Sequence, residues 1–142
     1  TERIARHKSD RGNDFETVEA PLNVVAAVRN INRADVVVLD CLTVWLANLL
    51  LKNRSQDEIL TEVNRLLDEI RRKSFHVIVV TNEVGMGVVP DSALGRAFRD
   101  VCGRAHQRFT LISDEIYFCV LGTILRLKPA PLVAIASPGG EP

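Results

Sequence analysis

The stretch Val77-Ile78-Val79-Val80-Thr81-Asn82-Glu83-Val84-Gly85-Met86-Gly87-Val88-Val89-Pro90 constrains what this chain can fold into more than any other. Four apolar β-formers run into a polar turn carrying glycines, and a helical pattern begins near Asp91. Such a pattern reads as a buried strand that delivers a loop. In an open parallel α/β sheet, ligands are bound at the carboxyl edge of the strands. Thr81, Asn82 and Glu83 are expected at that edge.

A second run of the same kind, Val36-Val37-Val38-Leu39, ends at Asp40. A continuous apolar run is expected of a strand covered on both faces. Between the two runs, Leu42 to Lys52 has helical spacing with Trp45 and Leu49 four apart, and Ser55-Gln56-Asp57-Glu58 reads as a capping box. Ile59, Val63, Leu66, Leu67 and Ile70 then form a buried stripe, with Glu62, Asp68, Glu69, Arg71 and Arg72 on the wet side. Upstream, Leu22, Val25, Ala26 and Val28 predict a helix to about Asn32 after Pro21, and Phe15 to Glu19 is extended. The pattern of residues 2 to 8 is compatible with a short helix that would place Arg3 and His7 on one face.

Beyond Pro90, Leu94, Phe98, Val101, Cys102, Ala105 and Phe109 predict an amphipathic helix over Ser92 to Phe109. Arg96, Arg99, Arg104 and Arg108 make its other face cationic, which reads first as a solvated surface and second as a phosphate or subunit contact. Glu115 to Leu121 is a third strand, which Thr123 to Lys128 extends or pairs beside. Pro129, Pro131, Pro138 and Pro142 mark residues 129–142 as an irregular tail with a short apolar run, Leu132 to Ala136. Strands separated by helices of this length imply right-handed crossovers, hence an α/β domain with a mostly parallel sheet flanked by helices.

Composition bounds function without choosing it. At 142 residues with 46% hydrophobic and 25% charged residues, the chain fits one soluble globular domain. Its 18 acidic and 18 basic residues cancel, so no global field argues for nucleic acid. No apolar run approaches the roughly 18–20 residues of a membrane helix. Cys41, Cys102 and Cys119 lack metal-site or disulfide spacing and are expected as core thiols in a reducing cytoplasm.

Asp40 has the position of a strand-end carboxylate that holds magnesium so the ion can neutralise phosphate charge. The bland alternative is an aspartate capping the next helix. The loop from Thr81 to Pro90 offers an amide, a carboxylate and two glycines to a ligand, or is a plain strand-to-helix connection. His7 stands among Arg3, Lys8 and Arg11, a cationic setting that suits phosphate and favours the neutral, nucleophilic imidazole. His76 and His106 read as structural or solvated.

Several segments together resemble the bifunctional adenosylcobinamide kinase / adenosylcobinamide-phosphate guanylyltransferase family of cobalamin biosynthesis. The resemblance is carried by Arg3-Ile4-x-x-His7-Lys8, Thr17-Val18-Glu19, Val38-Leu39-Asp40-Cys41-Leu42-Thr43, the loop Thr81 to Pro90, Gly103-Arg104-Ala105-x-Gln107-Arg108 and Asp114-Glu115-Ile116-Tyr117, in family order across nearly the whole chain. It implies a P-loop-related, RecA-like fold and two reactions: a nucleoside triphosphate, ATP or GTP, phosphorylates the aminopropanol hydroxyl of adenosylcobinamide, and GTP then gives GMP to that phosphate through a GMP-histidine. It implies His7 as that histidine, Lys8, Ser9, Asp10, Arg11, Glu19 and Asp40 at the nucleotide, Mg2+ on Asp40, a cytoplasmic enzyme, and a homo-oligomer such as a trimer. It implies neither nucleic-acid binding nor membrane insertion.

The sequence departs from the family pattern in three places. Asp40 stands where glutamate is frequent, and Phe15 where tryptophan is common. The family opens with a strand and a G-x-x-x-x-G-K-[ST] loop whose amides and lysine hold phosphates. Neither Gly85-Met86-Gly87 nor Gly139-Gly140 is followed by the required lysine. The expectation is therefore one α/β domain over 1–142, the C-terminal three quarters of a longer family member that lacks the first strand and the phosphate loop. The alternative is a non-catalytic nucleotide- or corrinoid-binding homologue without kinase activity.

Overall fold

A computed structural model describes residues 15–135. The proposed N-terminal helix, with His7, Lys8, Ser9, Asp10 and Arg11, lies outside the described residues, as do 136–142. Along the chain the elements are α1 (Val24–Asn30), β1 (Val36–Asp40), α2 (Leu42–Leu51), α3 (Gln56–Arg71), β2 (His76–Val80), α4 (Ala93–Ile112), β3 (Ile116–Val120), β4 (Thr123–Lys128) and β5 (Val133–Ile135).

The core is helical and lies against one side of a parallel strand pair. Leu46 of α2, Ile59, Val63 and Leu66 of α3, and Val101, Cys102 and Ala105 of α4 are fully buried. They recur at three to four residues because that spacing keeps apolar groups on one helix face. α3 begins at the expected capping box: Ser55 Oγ accepts from the Glu58 amide, and Glu58 accepts from the Ser55 amide at 2.7 Å. Trp45 is buried with its indole N–H donating to the Leu22 carbonyl at 3.1 Å, which fastens the chain ahead of α1 to α2. Glu69, expected on the wet side of α3, is instead buried and accepts from Arg29 at 2.8 Å. That hydrogen bond, with the positive charge behind it, holds the Glu69 carboxyl below the usual carboxylate value of 4.5.

β1 and β2 pair in parallel from Val36 opposite His76 to Asp40 opposite Val80. Their α2–α3 connection is the crossover that parallel strands require. The strands are not covered on both faces, as their continuous apolar runs imply. Exposed and partly buried residues alternate along both, and Val36, Val38, Ile78 and Val80 are exposed. Leu39 and Val79 pack on the helical core, while among the described residues nothing covers the other face.

The third strand corrects the expectation of a mostly parallel sheet. Among the described residues β3 joins no parallel pair but lies antiparallel to β4, which in turn pairs antiparallel with β5. The reason is local: Leu121 and Gly122 both have positive φ, 50° and 72°, which makes a two-residue hairpin turn. β5 also replaces part of the irregular tail expected from residue 129 onward, because the apolar run there completes the open edge of β4. Lys128 ties this sheet to α4 by donating to the Thr110 carbonyl. Among the described residues no helix is long and apolar enough to cross a membrane.

Leu46→Ala is expected to cost roughly 2–5 kcal/mol in chemical denaturation, against less than ~1 kcal/mol for Leu51→Ala on the exposed side of the same helix. Equal losses would contradict the packing. Leu121, almost fully exposed at positive φ, is the wrong residue for its turn; Leu121→Asn is expected to stabilise the fold by about 1 kcal/mol, and a destabilised variant would contradict the turn geometry.

Candidate functional site

Both parallel strands end at the same level, and polar side chains gather there. β1 stops at Asp40 and β2 at Val80, so Asp40, Cys41, Thr81, Asn82 and Glu83 follow the last apolar residues of neighbouring strands. The Asn82 amide donates to Thr43 Oγ1 at 3.0 Å, bridging the end of β2 to the first turn of α2. Cys41 Sγ lies 3.2 Å from the same hydroxyl. The loop after β2 is thereby joined to the loop after β1.

α4 completes the cluster from the side. His106 Nε2 lies 2.7 Å from Thr81 Oγ1, and its Nδ1 lies 3.9 Å from Glu83 Oε2. The other oxygen of Glu83 accepts from the Gly85 amide, which curls the loop back on its own carboxylate. Burial pushes the His106 pKa below its ordinary 6.5, against the opposing field of Glu83. The ring is therefore neutral near pH 7, and the adjacent carboxylate favours the tautomer with the proton on Nδ1. In that state Nε2 accepts from the Thr81 hydroxyl.

The arginines of α4 reach protein groups, Arg96 and Arg104 from exposed positions as a solvated face implies and Arg99 and Arg108 from partly buried ones. Arg99 donates to the Gly85 carbonyl, and Arg96 to the carbonyls of Pro90 and Asp91. Arg108 donates to Leu60 and Asn64 of α3, and Arg104 lies 3.9 Å from Asp57. A guanidinium suits this task because several fixed donors can serve several carbonyls at once. Gly95 admits the same loop: a Cβ there would stand 2.7 Å from that of Pro90. Gly87 has open space around it. Met86, Val88 and Val89 are exposed at the tip.

The predicted site residues divide. Asp40 lies at this strand-end cluster. Glu19 lies in the extended segment before α1, where it lines a shallow hollow of about 270 Å³ with Val18, Asn23 and Asn30. No residue of the strand-end cluster lines that hollow. His7, Lys8, Ser9, Asp10 and Arg11 fall outside the described residues. Among the described residues no three His, Cys, Asp or Glu side chains converge as a metal cage. A strand-end carboxylate such as Asp40 fits magnesium, which takes one or two protein carboxylates and fills its remaining sites with water and phosphate oxygens.

Sequence reasoning missed His106. It read as a structural or solvated helix residue, and the signal that could have raised it was its position one residue from Ala105, on the border of the buried stripe. The cysteines also differ from one another. Cys102 is buried, with its thiol pushed up to about 12 chiefly by desolvation. Cys119 is exposed rather than a core thiol, because the β3 hairpin leaves that face open.

A family model described as cobinamide kinase / cobinamide phosphate guanyltransferase matches residues 1–127. The chain belongs to this family. It is similar to the bifunctional adenosylcobalamin biosynthesis protein CobU of Escherichia coli K12, at 34% identity over 139 residues, covering 89% of this chain and 77% of that protein. The Pseudomonas aeruginosa bifunctional adenosylcobalamin biosynthesis protein CobP is 37% identical over 131 residues, covering 92% and 75%. CobU of Salmonella typhimurium is 31% identical over 139 residues, covering 89% and 77%. Membership in the cobinamide kinase / cobinamide phosphate guanyltransferase family agrees with the resemblance carried by the sequence motifs. Matched residues 1–127 include the loop Thr81 to Pro90 and the whole strand-end cluster.

The pKa of His106 sets a check on this geometry. Titration of its ring by NMR is expected to give a midpoint below 6.5, and Glu83→Gln to lower it further by removing the field that favours the imidazolium. As pH falls from 6.5 through that midpoint, the folded state resists taking a proton that the unfolded chain accepts, so stability declines. A midpoint at or above 6.5 would contradict the placement of the ring.

Proposed function

We propose that this chain acts in cobalamin nucleotide-loop assembly, with both activities that its family description names. In one, a nucleoside triphosphate phosphorylates the aminopropanol hydroxyl of adenosylcobinamide. In the other, GMP from GTP is carried on His7 and transferred to adenosylcobinamide phosphate, giving adenosylcobinamide-GDP and pyrophosphate. The observation that carries the reading is Asp40 at the end of β1, beside a family loop pinned at the neighbouring strand end by Asn82, Glu83, Arg96 and Arg99. A strand-end carboxylate next to a rigid polar loop is where α/β proteins hold nucleotide phosphates.

In this reading His7 is the nucleophile. Its neutral imidazole attacks the α-phosphorus of GTP, pyrophosphate leaves, and the cobinamide phosphate oxygen then displaces the histidine. Lys8 and Arg11 supply cations for the phosphate charge, Ser9 and Asp10 contact the nucleotide, and Glu19 and Asp40 act as single carboxylates at it. Asp40 would hold Mg2+, which when bound neutralises phosphate charge. A P-loop-related, RecA-like arrangement, a homo-oligomer such as a trimer and a cytoplasmic location belong to the same reading.

GTP labelled at the α-phosphate is expected to attach guanylate to the chain in an acid-labile, phosphoramidate-type bond, and His7→Ala to abolish the label while leaving the thermal unfolding midpoint unchanged. Equal incorporation into the alanine variant would refute the histidine. A chain that binds GTP but takes no label would favour a non-catalytic binding protein.

A further inference from the structure

The strand-end cluster contains an acid, a base and a hydroxyl in series, none of which the guanylyl transfer uses. Glu83 comes from the loop after β2, His106 from α4 and Thr81 from the end of β2 itself. Thr81 follows Val80, the register partner of Asp40, so its hydroxyl lies at the carboxyl edge next to the strand that ends in the proposed phosphate-site carboxylate. The His106 side chain is only 20% exposed, against 37% for Glu83, and Thr81 is an exposed residue. The base is thus shielded from water while the hydroxyl in front of it can be reached. A carboxylate that orients an imidazole, which in turn faces a hydroxyl, is the general arrangement for taking a proton from an oxygen.

We propose that Thr81, His106 and Glu83 form a proton relay that receives the proton of the substrate alcohol in the phosphorylation step. This rests on the kinase half of the function proposed above. As the alcohol oxygen forms its bond to the γ-phosphorus, the bridging bond to the β-phosphate breaks and the nucleoside diphosphate leaves with that electron pair. The alcohol proton passes to Thr81 Oγ1, and the proton already on Thr81 passes to His106 Nε2. The resulting imidazolium faces Glu83 and later returns its proton to solvent. Thr81 touches substrate, whereas His106 and Glu83 act through it.

The charges around His106 permit this. Glu83 is the charged group that acts on the ring. Cys102, one turn earlier on α4, stays a neutral thiol because burial raises its pKa. From the other packed elements, Cys41 of the β1–α2 connection faces the cluster, Arg99 is occupied by the Gly85 carbonyl, and Arg104 turns toward Asp57 of α3. The relay is therefore open with His106 neutral and closed when the ring is protonated.

Steady-state phosphorylation of the cobinamide alcohol by the full chain, followed against pH, tests the relay. Thr81→Val is expected to lower kcat by roughly 10²-fold or more, the ordinary weight of general base catalysis, with KM for the nucleotide nearly unchanged. Thr81→Ser, which keeps the hydroxyl, is expected to recover most of that loss. In the wild-type chain the acid limb of the kcat profile should follow the NMR midpoint of His106, and His106→Gln should both lower kcat and remove that limb. An unchanged kcat in Thr81→Val, or an acid limb that survives in His106→Gln, overturns the relay and leaves the kinase reading standing. If the wild-type chain transfers no phosphoryl group, the kinase reading falls and takes the relay with it. The ring nitrogens of His106 give a readout that needs no turnover: cobinamide bound to the chain, seen by its own visible absorbance, is expected to shift their NMR signals in the wild type and not in Thr81→Val. Bound cobinamide that leaves these signals unmoved overturns the relay.

Discussion

The parallel pair and the cluster at its end depend on apolar burial between four helices and one side of two short strands. Leu46, Ile59, Val63, Leu66, Val101 and Ala105 are removed from water together, and packing of such faces supplies most of a helix's stability in a protein. Because Leu39 and Val79 seat on that core, β1 and β2 are fixed in register and must end side by side. The polar residues that follow them are brought together by this constraint and not by affinity for one another. Once there, they form specific bonds, from Asn82 to Thr43 and between His106 and Thr81.

The loop after β2 is then held by α4 from beneath. Arg96 and Arg99 satisfy three of its carbonyls, and Glu83 satisfies its Gly85 amide. Such a loop has little freedom near its base, while Met86, Val88 and Val89 at its tip remain exposed. A rigid base suits the phosphate-handling role proposed for this edge, since positioning contributes much of the rate in phosphoryl transfer.

Local pattern made most of the elements legible. The 3.6-residue stripe of α3, the Ser55–Glu58 capping box and the two apolar runs predicted their elements to within a residue or two. Coverage was not legible, because Val36 to Leu39 reads alike whether one face or two are packed, and only the tertiary arrangement decides. Thr123 to Lys128 was legible as either an extension or a partner of β3, and the sequence did not choose because Leu121-Gly122 is a poor hairpin signal, with leucine where asparagine is favoured. Glu69 was misread, and the protein partners of the α4 arginines went unseen, because a charged residue's partner can lie far along the chain, as Arg29 does from Glu69 and Leu60 from Arg108. Family membership was visible in the motif order and the strand end at Asp40 in the apolar run before it, whereas His106 joined the strand-end cluster only when α4 was laid beside β2.

The central claim is a two-stage guanylyl transfer on the chain itself, and pre-steady-state pyrophosphate release tests it most directly. GTP mixed with the chain in the absence of any corrinoid is expected to give a burst of pyrophosphate stoichiometric with the protein, and later addition of adenosylcobinamide phosphate to discharge the bound guanylate as adenosylcobinamide-GDP. Pyrophosphate that appears only when the cobinamide phosphate is present would mean direct transfer without a protein-bound intermediate, and would contradict this account.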